Sequence, residues 1–246
     1  MNFIKIIKKL LPFCLRMPVK KIRKIFFWKK YKQLTTKEVF TKIYTEHIWG
    51  NNFAIPGSYY SGGGSHDPGL IEPYIAAVKK FLIMFRNKPN VIDLGCGDFN
   101  VGSKIRSSCK KYIACDIVDS LIEQNRLNYK DLNVDFRVFD FTSEKCEKTD
   151  VIFLRQVLQH LSNEDIEKGL RNLLPYCEYL VLTEHLPPSS DFKRNIDKPT
   201  GPDVRAELNS GVDITEQPFN YNLKAECICE VSDQYGTIKT IVYKCN

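Results

Sequence analysis

Val91-Ile92-Asp93-Leu94-Gly95-Cys96-Gly97-Asp98-Phe99-Asn100 is the stretch that decides how this chain is read. An apolar lead-in carrying one acid runs into two glycines one residue apart. Such a run suits a parallel strand covered on both faces. The glycines let the backbone turn sharply and let a ligand approach it closely. A helix is expected over 100–107, its amide end facing whatever the turn holds.

Working outward from this turn, strand and helix patterns alternate. Strands are expected over 112–117, 135–141, 150–154 and 178–184, and helices over 120–128 and 163–174. Ser162 with Asp165 three residues on reads as a capping-box-like start for the second of these helices. Residues 225–231 and 237–245 alternate around Asp233-Gln234-Tyr235-Gly236, a hairpin pattern. The expected fold is a doubly wound, mostly parallel seven-stranded α/β sheet of Rossmann-like type with a terminal antiparallel hairpin. Residues 186–222 are rich in Pro, Gly, Asp and Asn, and so long an irregular stretch in a compact domain is usually functional.

Upstream, apolar residues at helical spacing place helices over 35–49 (Val39, Phe40, Ile43, Tyr44, Ile48) and 69–86 (Ile71 to Phe85). Between them lies Tyr59-Tyr60-Ser61-Gly62-Gly63-Gly64-Ser65. It reads either as a linker or as a loop whose bare amides, Ser61 and Gly63 among them, close over a polar ligand. Three regions follow: a basic amphipathic extension over 1–34, a helical cap with the glycine loop over 35–87, and the main domain over 88–246.

The net charge of +7 is unevenly placed. Residues 1–37 hold twelve Lys or Arg and no acid, so the rest of the chain is net negative. An acidic body disfavours nucleic acid as a partner. In the tail, apolar and aromatic residues from Phe3 to Trp28 are interrupted by lysines every few positions. No run approaches the ~20 apolar residues of a bilayer span, and no cleavage site of the signal-peptide kind follows. The pattern is that of a segment lying on a membrane surface, broken by Pro12 and Pro18, or of a plain basic extension. The expected location is the cytoplasm, with peripheral contact at the inner face of the membrane through residues 1–32. The nine cysteines are scattered, with no CxxC pair, so neither a disulfide framework nor a metal site is expected.

Asp93-x-Gly95-x-Gly97, an acid ending the next strand at Asp116, another ending the third at Asp140, and the terminal hairpin together resemble class I S-adenosylmethionine-dependent methyltransferases over residues 88–246. The third glycine of the usual D-x-G-x-G-x-G is Phe99 here. Tyr44, Trp49, the 61–65 loop, 150–161 and 201–219 more narrowly resemble methyltransferases of bacterial capsule and surface-polysaccharide clusters. The resemblance implies S-adenosylmethionine as cofactor. It also implies O-methylation of a sugar or a glycan-linked phosphate or phosphoramidate, with a glycan, sugar nucleotide or small molecule as acceptor.

Side-chain chemistry distributes the roles. Gly95, Cys96 and Gly97 suit the amino-acid part of the donor, with Asp93 either bonding the turn or touching the ligand. Asp116 stands where a carboxylate accepts ribose hydroxyls. Asp140 can accept from an adenine amino group, with Ile117 and Phe141 flanking the ring. Methyl transfer to a hydroxyl needs a positioned proton acceptor. His160, just past the 150–154 strand, and His185, past the next, are the candidates, with packing or capping as the alternative for His160. Tyr59, Arg155, Asp203 and Arg205 are the candidate acceptor-binding residues. A nicotinamide-dependent dehydrogenase would need Gly-x-Gly-x-x-Gly, but position 100 is Asn. A non-catalytic membrane-associated assembly protein would keep the fold without turnover.

Overall fold

The computed structural model describes residues 31, 33–51, 57–189, 191–233 and 235–246. The reading of residues 1–32 as a membrane-surface segment lies outside the described residues, Tyr31 apart. Among the described residues no helix is long and apolar enough to cross a membrane.

Numbered along the described chain, the helices are α1 (Thr36–Thr45), α2 (Pro68–Ile83), α3 (Asn100–Ile105), α4 (Asp119–Asn128) and α5 (Asn163–Leu173). The main strands are β1 (Val91–Leu94), β2 (Tyr112–Asp116), β3 (Asp135–Val138), β4 (Thr149–Arg155) and β5 (Cys177–Leu186). Two-residue strands β6 (Lys193–Arg194) and β7 (Ser210–Gly211) precede the hairpin β8 (Lys224–Asp233) and β9 (Gly236–Lys244). The large sheet has seven strands in the order β3-β2-β1-β4-β5-β9-β8. β1 to β5 pair in parallel, and β9 runs antiparallel to β5 and β8. This is a doubly wound, Rossmann-like sheet with a terminal antiparallel hairpin, as expected.

Strand periodicity accounts for the two cores. Along β1, β2 and β4, Ile92, Leu94, Ile113, Cys115, Ile152 and Leu154 point to one face, where Ile166, Leu170 and Leu173 of α5 cover them. Val91, Tyr112, Ala114, Val151 and Phe153 point to the other, under Ile71, Tyr74, Ile75, Val78 and Leu82 of α2. Both faces are buried, as continuous apolar strands require. Ser162 caps α5, its Oγ accepting from Asp165 N at 3.1 Å. Thr35 and Glu38 form a reciprocal capping box at α1.

Several element ends differ from the sequence expectation. The first helix stops at Thr45, and His47 follows with φ of +50°. β3 ends at Val138, leaving Asp140 and Phe141 in the turn beyond it. α3 is short and tightens into a 3₁₀ turn over Arg106–Ser108. The 186–222 stretch is not wholly irregular, since β6 pairs with β7 there and a 3₁₀ turn covers Arg205–Leu208.

Phe99 replaces a glycine without losing the turn. It adopts φ of +60° and is fully buried, its ring edge-on to Tyr112, Tyr129 and Phe136. The room comes from Gly102, where a Cβ would lie 2.3 Å from the Phe99 ring. The glycine is displaced three residues along the chain.

Candidate active site

A cavity of about 520 Å³ opens along the carboxyl ends of the strands, where ligands bind in open α/β sheets. Its lining divides along the sheet. One half is built from the ends of β1, β2 and β3, and the other from the ends of β4 and β5 with the tip of the β8–β9 hairpin.

The first half begins at the glycine turn. Gly95 and Gly97 both have positive φ, +68° and +56°. A Cβ on Gly97 would lie 2.3 Å from Ser61 Oγ. The space is taken by the glycine loop, which folds onto the turn: Ser61 N donates to Asp98 Oδ2 (2.9 Å) and Asp98 N donates to Ser61 Oγ (2.8 Å). His66 Nε2 approaches Asp98 Oδ2 to 2.6 Å, with Tyr60 stacked on the His66 ring. Arg155 Nη2 donates to Gly64 O (2.6 Å), and Tyr44 OH lies 3.1 Å from Ser61 Oγ. The loop is therefore a wall of the cavity rather than a linker, and Ser61, Gly63, Gly95, Cys96 and Gly97 all line it.

Asp116, at the end of β2, accepts from Gly97 N (3.1 Å, Oδ2) and Val118 N (3.2 Å, Oδ1). The carboxylate also lines the cavity. Burial pushes its carboxyl up to about 6, with the Val118 and Gly97 N–H groups opposing. Ile117, Asp140 and Phe141 line the same half, and Asp140 Oδ1 is engaged by the Thr142 N–H and hydroxyl. Phe40 and Trp49 also line the cavity. Trp49 packs 4.9 Å from the His160 ring and donates to Pro202 O at 3.3 Å.

In the second half, His185 closes the end of β5, facing Asp233, Tyr235 and Ile238 of the hairpin, with Asp67 and Leu70 from the start of α2. Gln156, just past β4, lies between the halves at φ of +56°, its amide against Gly64.

The two histidines differ sharply. His160 is buried in a 3₁₀ turn (Leu158–His160), and burial, with the Lys198 ammonium second, pushes it down to about 3. Its carbonyl accepts from Lys198 Nζ (3.0 Å) and Gly201 N (2.9 Å). Beneath this turn, Glu184 accepts from Leu158 N and Gln159 N, both at 3.0 Å. Burial pushes Glu184 up to about 8, while the Leu158 N–H and the Arg205 charge oppose it.

The structure corrects several sequence assignments. Arg205 is fully buried and donates to Leu161 O (2.7 Å) and to Ile196 O, so it braces the turn below the cavity instead of meeting a ligand. Tyr59 is not among the lining residues: its hydroxyl donates to Ser120 Oγ (2.8 Å) and its ring packs edge-on to Tyr44. Asp203 lies between two lining residues, Pro202 and Val204, without lining the cavity itself. Asp93 accepts from Tyr112 OH (2.8 Å) behind the glycine turn and borders a separate void of about 30 Å³. Burial pushes its carboxyl up to about 6. Arg155 lines the cavity, but its guanidinium lies over the Tyr74 ring at 5.0 Å and clasps the glycine loop. Glu184, Lys198 and Gln156 were not found from sequence. A buried acid mid-strand and a lone lysine in a long loop carry no local signal. The cysteines among the described residues are free, and no group of three metal-ligating side chains forms among them.

Residues 91–177, about a third of the chain, match the family model described as a methyltransferase domain. Over these residues the chain carries a methyltransferase domain. Among solved structures, it is similar to the N-methyltransferase NodS of Bradyrhizobium japonicum WM9 with bound S-adenosyl-L-homocysteine, at 13% identity and a TM-score of 0.58, covering 81% of this chain and 95% of that one. It is similar to the magnesium protoporphyrin IX methyltransferase of Synechocystis PCC 6803 with bound SAM, at 13% identity and TM-score 0.56, covering 87% and 98%. A third, the N-terminal domain of EvdMO1 in the presence of SAH and D-fucose, gives 13% identity and TM-score 0.52, covering 87% and 98%. A search of curated proteins returns no match.

The methyltransferase donor fits the first half. Gly95, Cys96, Gly97 and Asp116 line it together, and side chains at 95 and 97 would collide with Val157 and Ser61, so the bare backbone of the turn stays open to a ligand.

Proposed function

We propose that this methyltransferase moves a methyl group from S-adenosylmethionine to a hydroxyl group of a sugar, with His185 as the proton acceptor. The observation that carries the reading is the division of the cavity. A nucleoside-binding half ends at Gln156, and a second half of mixed aromatic and hydrogen-bonding character begins there. Tyr235 offers a flat ring for the C–H face of a pyranose, and Gln156 and Asp67 offer partners for its hydroxyls. The D-fucose named with the EvdMO1 domain supports a sugar on this fold. The sequence resemblance to polysaccharide-cluster enzymes points the same way, toward surface-glycan precursors, and the basic residues 1–32 would suit work at an anionic membrane face.

When bound, the donor supplies a methyl carbon already activated by a positive sulfur. The protein's part is to orient and to take a proton. Gly95 to Gly97, with the 61–65 loop, hold the amino-acid end, and Asp116 with Asp140 holds the nucleoside. The choice between the two histidines rests on place and on basicity. His160 is pushed far below neutrality and packs under Trp49, so it is a poor proton acceptor. His185 opens onto the second half.

The test is methyl-labelled donor against a panel of sugar nucleotides and polysaccharides, with amines, carboxylates, porphyrins and RNA alongside. Label in a sugar ether is the expected result, and label confined to a non-sugar class refutes the reading. With the sugar acceptor, His185→Ala should lose about 10²- to 10⁴-fold in kcat. His160→Ala should keep kcat within about tenfold and disturb donor affinity or folding instead.

A further inference from the structure

The C-terminal hairpin ends in a turn whose sequence, Asp233-Gln234-Tyr235-Gly236, is complete as a turn. Asp233 Oδ1 accepts from Tyr235 N (2.7 Å) and Gly236 N (2.9 Å), and that alone would explain an aspartate there. The structure adds a second contact. β9 pairs with β5 with Ile238 opposite His185, which brings the tip down over the end of β5. His185 Nε2 then stands 3.4 Å from the same Asp233 Oδ1. Gly236 has φ of +150°, and a Cβ on it would lie 2.0 Å from Leu186 O and 3.1 Å from His185 Nε2. Only a glycine lets the tip pack this closely on the histidine. Both side chains are largely buried, 11% and 22% exposed, and both line the second half of the cavity. His185 Nε2 has no hydrogen-bond partner in the protein.

We infer that Asp233 is a positioning residue for methyl transfer: the hairpin tip sets a carboxylate against His185, so that the terminal strands complete the catalytic site. The inference rests on the reading of His185 as proton acceptor for a sugar hydroxyl. In that step Nε2 carries the N–H that faces Asp233, and the hydroxyl proton goes to the Nδ1 lone pair while the oxygen forms its bond to the methyl carbon. The carbon–sulfur bond breaks and its electron pair stays on sulfur, leaving a neutral thioether. The charge of the imidazolium so formed is stabilised by the Asp233 carboxylate facing Nε2, and the long contact in the neutral state shortens once charge is present. A turn aspartate without this role would serve the hairpin alone.

Asp233→Asn separates the two roles, because the amide oxygen can still accept from Tyr235 and Gly236 while the charge is gone. Turnover of the sugar acceptor found by the panel should fall by about tenfold or more. The dissociation constant for S-adenosyl-L-homocysteine and the melting temperature should stay near wild type. Asp233→Glu should recover part of the turnover. In the S-adenosyl-L-homocysteine complex, the ¹⁵N imidazole resonances of His185, assigned with His185→Gln, should move in Asp233→Asn. Wild-type turnover, or unmoved resonances, overturns the inference. The resonance measurement needs no acceptor, so it judges the pair even if no sugar is methylated, and failure of the sugar reading is told apart. Should Asp233→Asn lose its hairpin, Asp233→Ser, which keeps a turn-forming acceptor, takes its place with the same outcomes.

Discussion

Asp116→Asn is the sharpest test of the donor site. The carboxylate meets Gly97 N with one oxygen and Val118 N with the other. Asparagine has one oxygen, so in either orientation its NH₂ faces a backbone N–H. One bond is lost and one buried donor is left unmatched, a cost of about 1–3 kcal/mol in stability. The donor's ribose loses at least one charged acceptor, about 1.5–3 kcal/mol. Affinity for S-adenosyl-L-homocysteine should therefore fall about ten- to hundredfold, measured by calorimetry at pH 7.5. A dissociation constant within about twofold of wild type, with the fold intact, refutes the placement of the ribose at Asp116.

Proton linkage sharpens the same test. Burial raises the Asp116 carboxyl from its ordinary 3.8 to about 6. A group raised on folding holds its proton more tightly in the native state. Its contribution to stability is complete below pH 3.8 and is lost as pH rises through about 6. That loss is on the order of 3 kcal/mol. Donor binding has the opposite sign, because the ribose hydroxyls need the ionised form: wild-type affinity should weaken as pH falls below about 6. Asp93 is raised to the same range but accepts from Tyr112 behind the turn. If the inflection in affinity survives Asp116→Asn, it belongs to Asp93 and the assignment to Asp116 is wrong.

Two further outcomes follow from the site's construction. Arg205→Met should destabilise by about 2–4 kcal/mol, because it leaves the buried Ile196 and Leu161 carbonyls without their donor; a drop of about 5 °C or more in Tm would show it, whereas an acceptor-binding arginine would instead raise KM with Tm unchanged. Trp49→Ala should weaken donor binding by about tenfold while Trp49→Phe keeps most of it, since the ring covers the cavity beside His160; calorimetry with S-adenosyl-L-homocysteine distinguishes this from a Trp49 that only packs the N-terminal helix.

The parts of this molecule legible in its sequence are those set by short-range periodicity and by backbone geometry. Continuous apolar runs placed β1, β2 and β4 because each buries both faces. The acid nineteen residues after Gly97 was legible because a strand, a turn and a helix of fixed length separate it from the glycines. Side-chain roles in 186–222 were not, because polar residues in an irregular stretch look alike until their partners are known. Arg205 reads as a ligand-seeking cation, yet its partners Ile196 and Leu161 come from either side of the loop's own start. Tyr59 failed for a similar reason, its hydroxyl being taken by Ser120.

The hairpin tip failed differently. A turn of this composition explains itself: aspartate accepts from the two following amides, glycine supplies the backbone freedom, and nothing is left over to suggest a distant partner. Local sufficiency hid the long-range contact. The proposed acceptor half of the cavity is assembled by this kind of residue, each with a complete local reason to be what it is: Asp67 caps α2, Asp233 holds a turn, and Gln156 turns the chain just past β4. The proposed donor half was legible in outline because Asp116 sits at a fixed distance from the glycine turn and bonds back to Gly97 N. The proposed acceptor half demands nothing beyond what the turns already require, so the contact between His185 and Asp233 comes into being only when β9 lays the tip against β5.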